Sequence, residues 1–151
     1  MIFSRTSQYA IQALIYLATQ PSGLLLLRRD IARKLGVPPA YLAKVLQDLS
    51  RWQLLDSFRG RDGGFSLRSG VAERNLLDIL MMMDGPRVDR ECLLGLKVCA
   101  DETACPVHLK WKPVKQEMLD CLGNVTLIHL AQAVQSGQYR LSDLPQALSQ
   151  R

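Results

Sequence analysis

The sequence predicts a mostly α-helical fold that carries one small β-hairpin and a long helix suited to pairing with another helix. Three observations support this fold: two short amphipathic helices around a tight turn, two alternating strands around a glycine-rich turn, and apolar residues at a 4-3-4-3 spacing further on. Their order along the chain is that of a winged helix-turn-helix followed by a dimerisation helix. At 151 residues and 48% hydrophobic composition, the chain suffices for one compact core.

The first helix is predicted over residues 4–20, with Ser4 or Thr6 as the N-cap and Pro21-Ser22-Gly23 as the stop. Its central stretch, YAIQALIYLA, is apolar around nearly the whole circumference. Such a helix must be covered on several sides. We therefore expect it to lie between the helix-turn-helix and another element, such as a second subunit.

The helix-turn-helix is predicted over residues 28–52. A short helix covers 28–35, Gly36-Val37 forms the turn, and Pro39 opens a second helix that ends near Trp52. One face of this second helix is apolar and anchors it, through Leu42, Val45, Leu46 and Leu49. The opposite face is free to meet a partner, through Ala40, Ala43, Lys44, Gln47 and Arg51.

The hairpin follows directly, with alternating strands over 54–58 and 65–67. Its tip is Arg59-Gly60-Arg61-Asp62-Gly63-Gly64, and Leu55, Phe65 and Leu67 are available to face the core. A third stretch, 75–83, is predicted to be helical and to end at Asp84-Gly85-Pro86.

These elements and the charge predict binding to DNA. The net charge is +5 and the pI about 9.2, which suits a polyanionic partner. In such a fold one helix presents side chains to the major groove, while a hairpin tip rich in glycine and arginine approaches the backbone or the minor groove. The predicted DNA-binding residues are Arg28, Arg29, Ala40, Tyr41, Lys44, Gln47, Arg51, Arg59, Gly60, Arg61 and Gly63.

The cysteines predict a metal or cluster site. The N-terminal stretch lacks the pattern of a secretory signal and residues 24–27 are too short to span a bilayer, so we expect a cytoplasmic protein without structural disulfides. Cys92, Cys99 and Cys105 lie in one loop, and His108 follows three residues later. With Pro106 as the first helical residue, Cys105 is the N-cap and His108 shares its side of the first turn, so thiolate and imidazole can converge on one metal centre. The long gaps and the lack of a C-x-x-C pair favour an iron-sulfur cluster over zinc.

The last long helix is predicted to start at Pro106, to be kinked or interrupted at Pro113 and to end at Gly123-Asn124. Its 4-3-4-3 seam indicates pairing between two helices. We expect Cys121, the last residue of this seam, to be part of a core. The seam comprises Val107, Trp111, Val114, Met118 and Cys121.

The chain thus divides into a DNA-binding domain over 1–84, a cysteine loop over 85–105 and a dimerisation region over 106–135. This last region includes a short helix capped by Thr126. A polar tail over 136–151, predicted to be loose, follows it.

Four sequence segments resemble the IscR/NsrR family of bacterial regulators. They are Val37-Pro38-Pro39-Ala40-Tyr41-Leu42, Leu54-Leu55-Asp56-Ser57, Arg59-Gly60-Arg61-Asp62-Gly63-Gly64-Phe65, and the three cysteines followed by Cys105-Pro106-Val107-His108. The similarity extends from residue 1 to about residue 134.

The resemblance implies a homodimeric winged-helix repressor or activator that binds a palindromic operator and responds to iron, redox state or nitric oxide through an iron-sulfur cluster. Cys92, Cys99 and Cys105 match the cluster cysteines, and His108 matches the histidine ligand of the IscR branch. The NsrR branch takes an acidic ligand near the N-terminus, where this chain has Gln8. A two-iron cluster is therefore favoured over a four-iron one.

Two departures from the IscR branch stand out. The first gap between cysteines is one residue longer than in that branch. Its base-reading positions hold Pro38, Ala40 and Ala43 here, so its operator preference is not carried over.

Two other functions stay open from the sequence. One is a winged-helix regulator without a cluster, in which the loop cysteines act as a thiol switch. The other is a small electron-transfer or cluster-carrier protein that docks an acidic partner. An enzyme is disfavoured, because the sequence offers no nucleophile paired with a base, no phosphate loop and no convergent acid pair.

Overall fold

The computed structural model describes residues 3–90 and 92–143. Helices α1 to α3 precede a two-stranded antiparallel sheet, and α4 to α7 follow it. In chain order the elements are α1 (Arg5–Ala18), α2 (Arg28–Leu35), α3 (Pro39–Arg51), β1 (Leu55–Phe58), β2 (Gly64–Leu67), α4 (Leu76–Asp84), α5 (Arg87–Arg90), a 3-10 turn (Asp101–Thr103), α6 (His108–Asn124) and α7 (Leu127–Gln135).

Helix α1 is the centre of the core, as its apolar circumference predicts. The hydroxyl of Ser4 caps it by accepting the backbone N–H of Ser7 at 3.1 Å. It packs against α2, α3, α4 and β2, and its remaining side is covered by α7. The side-chain amide of Gln135 in α7 donates to the carbonyl of Thr19 at 2.8 Å. The additional cover is thus another part of the same chain.

The helix-turn-helix prediction is confirmed. Gly36 ends α2 with φ of 67°, a left-handed conformation that suits glycine, and Pro39 is the first residue of α3. On the inner face of α3, Leu42, Leu46 and Leu49 are completely buried.

The winged-helix prediction is also confirmed, with one addition. Strands β1 and β2 pair in register, Leu55 opposite Leu67. The segment before α2 joins the hairpin, because Leu26 and Phe65 exchange two backbone hydrogen bonds of 2.9 Å. A single bridging residue leaves no periodic pattern, so the sequence does not reveal this link. It anchors the wing to the N-terminal end of α2.

The region after α4 departs from the expected simple loop. It contains the short helix α5 and the 3-10 turn, which were not predicted. Helix α6 begins at His108 rather than at Pro106, because residues 105–108 first close a turn in which the His108 N–H donates to the Cys105 carbonyl at 2.9 Å. Cys105 is therefore not the N-cap, and α6 continues through Pro113 without a restart.

Helix α6 is mostly exposed in the single chain. Among its residues His108 alone is buried, while Val114 on the predicted seam is 52% exposed. Cys121 is exposed as well, so the expectation that it belongs to a core is wrong for one chain. Within residues 3–90 and 92–143, the seam is thus only partly covered, with Trp111 and Met118 half-buried and Val114 and Cys121 exposed.

The C-terminal part of the described chain returns to the core. Thr126 caps α7 as predicted, and Leu127 and Ala131 are buried. Leu141 packs partly buried against the same core, so the segment predicted to be loose includes an anchored residue. The rest of that tail, 144–151, lies outside the described residues. Throughout the described part, no helix combines the length and the apolar character that crossing a bilayer requires.

Candidate DNA-binding surface and cysteine site

A cleft of about 560 Å³ lies between α3, the start of α2 and the wing. It joins basic, polar and glycine positions from elements that are distant in sequence. Six of the predicted DNA-binding residues line it, namely Arg28, Arg29, Gln47, Gly60, Arg61 and Gly63. The sequence reasoning missed Phe58 beside them, which is 56% exposed at the end of β1.

The remaining predicted residues lie outside this cleft. Ala40, Lys44 and Arg59 are exposed on α3 and the wing, where they remain available to a larger partner. Arg51 is exposed too, but its guanidinium forms an ion pair with Asp48 on the same helix. Exposed pairs of this kind contribute little to stability, so Arg51 keeps its capacity to contact phosphate.

The tip of the wing is built for close approach of the backbone. A Cβ atom on Gly63 would collide with the carbonyl oxygen of Phe58. A Cβ atom on Gly64, whose φ is 152°, would lie 2.7 Å from the carbonyl oxygen of Leu26. Only glycine lets the hairpin fold this tightly against its neighbours.

Tyr41 connects the opening of α3 to α1. Its phenol oxygen lies 2.8 Å from the hydroxyl oxygen of Thr6, and its ring meets the ring of Tyr9 edge-on with centroids 5.4 Å apart. Sequence reasoning missed Thr6 and Tyr9; their spacing of three residues places them on one face of α1 but does not show what that face contacts. Tyr41 is thus both a surface residue and a link to α1.

A second link connects α1 to the end of α4. Ser7, which is completely buried, donates to one carboxylate oxygen of Asp84 at 2.7 Å. Ser4 donates to the other carboxylate oxygen at 3.3 Å. Asp84 is the last residue of α4 before the segment that leads to the cysteines. The first turn of α1 therefore contacts both α3, the predicted recognition helix, and the residue from which the cysteine loop starts.

Cys92 and Cys105 form the first pair of predicted metal ligands, or donor pair, in the cysteine site. Their sulfur atoms lie 3.7 Å apart, and Cys92 is buried. The backbone N–H of Leu94 lowers the pKa of the Cys92 thiol below its ordinary value, although burial acts in the opposite direction. The N–H of Leu96 and the Cys105 thiol lower the pKa further. These groups favour the thiolate, the form of cysteine that binds metals and attacks oxidants.

Cys99 and His108 form the second donor pair. The Cys99 sulfur lies 3.5 Å from Nδ1 of His108, and Nε2 of the same ring lies 2.8 Å from a carboxylate oxygen of Asp101. The ammonium of Lys112 contacts both oxygens of that carboxylate, at 2.8 and 2.9 Å. The hydrogen bond from Lys112, followed by that from His108, holds the pKa of Asp101 below its ordinary value.

The predicted site residues thus come together as two pairs. Across residues 3–90 and 92–143, no three His, Cys, Asp or Glu side chains are arranged to hold a metal ion. His108 pairs with Cys99, whereas its place after Cys105 predicted convergence with that thiol. The reason is the turn at residues 105–108. Because of this turn α6 starts at His108, and Cys105 lies beside Cys92.

Comparison with known protein families identifies one match that spans most of the chain. Residues 3–133 match the Rrf2 family, described as iron-dependent transcriptional regulators. A helix-turn-helix-type transcriptional regulator of Aquifex aeolicus is 33% identical over 84% of this chain and 89% of its own length. Another such regulator, from Mycobacterium tuberculosis, is 32% identical over 87% of this chain and 81% of its own. The transcriptional regulator IscR of Vibrio vulnificus is 25% identical over 84% and 75%.

Solved structures with the same fold include the regulators CymR and IscR. CymR of Staphylococcus aureus superposes with a TM-score of 0.65 at 25% identity, covering 85% of this chain and 97% of that one. IscR of T. potens superposes with a TM-score of 0.68 at 21% identity, covering 91% and 90%, and supports the fold alone. The winged helix, the cleft and the family match agree, and the chain belongs to the Rrf2 family of DNA-binding transcriptional regulators and is not an enzyme.

Proposed function

We propose that this regulator binds its operator as a homodimer and that an iron-sulfur cluster of the two-iron type controls its affinity for DNA. Cys92, Cys99, Cys105 and His108 would hold the cluster. The observation that carries the proposal is the arrangement of these four donors in two pairs, with 3.7 Å between the sulfurs of one and 3.5 Å between sulfur and nitrogen in the other.

Both distances fit ligation of one metal by each pair. Two thiolates on a tetrahedral metal, at about 2.3 Å each, lie about 3.8 Å apart. A thiolate and an imidazole nitrogen on such a metal lie about 3.5 Å apart. A single zinc ion needs three or four converging protein ligands, whereas a two-iron cluster takes two ligands at each iron. The donor set therefore fits a two-iron cluster better than a mononuclear metal.

The cluster would supply a centre whose charge and integrity depend on iron, oxidants and nitric oxide. The protein contributes two thiols in the cysteine loop, a third at the turn before α6, and an imidazole buried at the start of that helix. The description of the family as iron-dependent and the similarity to IscR support this assignment.

The first turn of α1 is the proposed route from the loop to DNA. Ser7 contacts Asp84, where the loop begins, and Thr6 contacts Tyr41, where the recognition helix begins. A change in the shape of the loop that moves Asp84 would shift α1 and, with it, the recognition helix. Because a dimer must match two half-sites of a palindromic operator, a small shift would alter the affinity.

The seam of α6 is the proposed dimer interface. Trp111 and Met118 are half-buried on it, and Val114 is exposed. Their 3-4 spacing, part of the 4-3-4-3 seam, is that of helices that pair side by side, and pairing two seams would cover apolar side chains that one chain leaves in water.

The test is anaerobic purification followed by iron and acid-labile sulfide analysis and by footprinting on the upstream DNA of the chain's own gene and its neighbours. We expect about two irons and about two sulfides per chain. We also expect different operator affinities for the holo and apo forms. Cys99→Ser should abolish both the cluster and this difference, while Cys121→Ser, outside the loop but on the proposed dimer interface, should retain the cluster. Protein without iron and sulfide that still regulates DNA binding would contradict the proposal.

A thiol switch is the second candidate, favoured by the Cys92 and Cys105 pair. Their sulfurs lie 3.7 Å apart, and a disulfide requires them to approach to about 2.05 Å. The pKa of Cys92 is also lowered. Hydrogen peroxide would oxidise the Cys92 thiolate to a sulfenic acid with release of hydroxide, and Cys105 would then displace water to form the disulfide. A solved structure of Staphylococcus aureus CymR in an oxidized form is among the similar structures.

The two candidates differ in one comparison. The cluster-free chain, treated with peroxide, is tested by footprinting and by mass spectrometry beside Cys105→Ser. A disulfide that changes operator affinity in the wild type and is lost in Cys105→Ser favours the switch. Unchanged affinity after complete oxidation eliminates it.

A further inference from the structure

We propose that Asp101 is a positioning residue that, together with Lys112, holds His108 in the tautomer that presents Nδ1 to the cysteine loop. As far as it concerns the ligand atom of the cluster, this inference rests on the proposed function. The tautomer itself is a property of the chain alone.

The geometry around the ring points to one tautomer. The imidazole is buried, with 4% of the side chain exposed, and its Nε2 lies 2.8 Å from Asp101 Oδ1. A carboxylate accepts hydrogen bonds and has no proton to donate, so Nε2 must carry the hydrogen. In the neutral ring Nδ1 is then unprotonated and lies 3.5 Å from the Cys99 sulfur, where it can accept the S–H.

Lys112 keeps Asp101 in its role as acceptor. Its ammonium bridges both carboxylate oxygens, so the charge of the carboxylate is balanced while Oδ1 still faces the ring. Lys112 is four residues after His108 on α6, one turn further along, which places both on the same side of the helix. Asp101, Lys112 and His108 thus form a clamp that joins the 3-10 turn of the loop to the first turns of α6.

This arrangement has the form of a carboxylate–histidine–metal triad. A histidine ligand normally donates its second ring N–H to a carboxylate or carbonyl group, which fixes the ring and increases its basicity. Here the acceptor is in place on Nε2, and the lone pair of Nδ1 points toward Cys99, its partner in the second donor pair. The ligand nitrogen is therefore assigned as Nδ1.

The first experiment measures the tautomer in the reduced, cluster-free full-length chain by long-range ¹⁵N–¹H NMR of the histidine rings. We expect His108 to carry its hydrogen on Nε2 in the wild type. In Asp101→Asn the resonances should shift and broaden toward a mixture, because an amide both donates and accepts. Glu102→Gln removes a charge at the neighbouring position of the same 3-10 turn and should leave the tautomer unchanged. A hydrogen on Nδ1 in the wild type would overturn the inference.

The second experiment uses the anaerobically prepared holoprotein with histidine labelled by ¹⁵N at Nδ1 or at Nε2. Electron-nuclear double resonance of the reduced cluster should show strong coupling from Nδ1 and weak coupling from Nε2. Asp101→Asn should raise the reduction potential by clearly more than Glu102→Gln does. Strong coupling from Nε2, or equal shifts in the two variants, would contradict the positioning role.

The two experiments separate the two proposals. A wild type that binds no cluster but shows the Nε2–H tautomer would refute the proposed function and leave the clamp supported. A wild type that binds a cluster but shows the other tautomer would do the reverse.

Discussion

The DNA-binding half of the molecule and the half that contains the cysteine loop and α6 are held together in different ways. In the first, Leu14, Leu42 and Leu46 are completely buried in one core. Between residues 85 and 124, the buried side chains among those described are Val88, Cys92 and His108. Large apolar side chains at least half exposed are concentrated there, namely Leu93, Leu94, Leu96, Val98, Leu109 and Val114.

The difference teaches that the two halves respond to different perturbations. Core packing makes the winged helix one cooperative unit. The cysteine loop depends on turns, on hydrogen bonds and on the two donor pairs, and few apolar contacts oppose a change in its shape. Such a loop can rearrange while the DNA-binding fold persists, as the proposed sensing role requires.

The largest expected effect separates the two halves by stability. Leu46→Ala should lower the free energy of unfolding by about 2–5 kcal/mol, since it leaves a cavity in the core. Leu96→Ala, at a position 50% exposed in the loop, should change it by less than about 0.5 kcal/mol. Urea unfolding at one protein concentration measures both. Equal losses would mean that the loop shares the core's cooperativity.

The next effect concerns the shape of the wing. Gly63→Ala places a methyl group against the Phe58 carbonyl and should cost about 1–3 kcal/mol. Because the distortion is at the tip, operator affinity should fall about tenfold or more. Gly123→Ala is the control in the other half, where the new methyl would make an ordinary van der Waals contact with Leu77 at 3.8 Å. Fluorescence anisotropy with operator DNA gives both affinities, and similar ones would contradict the close approach.

A smaller effect tests the link between the halves. Ser7→Ala removes a buried donor to Asp84 and should lower the free energy of unfolding by about 1–2 kcal/mol. It should also reduce the difference in operator affinity between holo and apo forms. Ser50→Ala is a matched control, because that hydroxyl only bonds the Leu46 carbonyl within α3. If Ser7→Ala left the holo–apo difference intact, the signal would not pass through α1.

The smallest effect concerns charge at the cleft. Arg61→Gln should weaken DNA binding a few-fold and reduce the slope of log affinity against log salt by about 1, because one phosphate contact is lost. Arg140→Gln removes the same charge away from the cleft and should leave the slope unchanged. Salt titrations of both variants against the wild type make the comparison. Equal slopes in all three proteins would exclude Arg61 from the phosphate contacts.

The features of the fold and of the cysteine site that the sequence predicts are those set by residues close together in the chain. The bounds of α2, the glycine turn after it and the two strands of the wing follow from neighbouring residues, and all are found to within one residue. The burial along β1 does not alternate as the sequence pattern predicted. The set of loop cysteines and His108 was also visible, because thiol and imidazole spacing is a local feature. The start of α6 was misplaced by two residues, since Pro106 permits a helix start and equally permits the turn that forms.

The sequence by itself determined the winged helix and the basic glycine-rich wing, because periodicity, turn chemistry and residue type act within a few positions. It also predicted the four residues that we propose as cluster ligands. Only the tertiary structure decided that α7 covers α1, that His108 faces Cys99 and that Asp101 and Asp84 hold the two ends of the cysteine loop. These contacts depend on where distant segments meet. That position is set by the packing of the whole chain rather than by any local pattern.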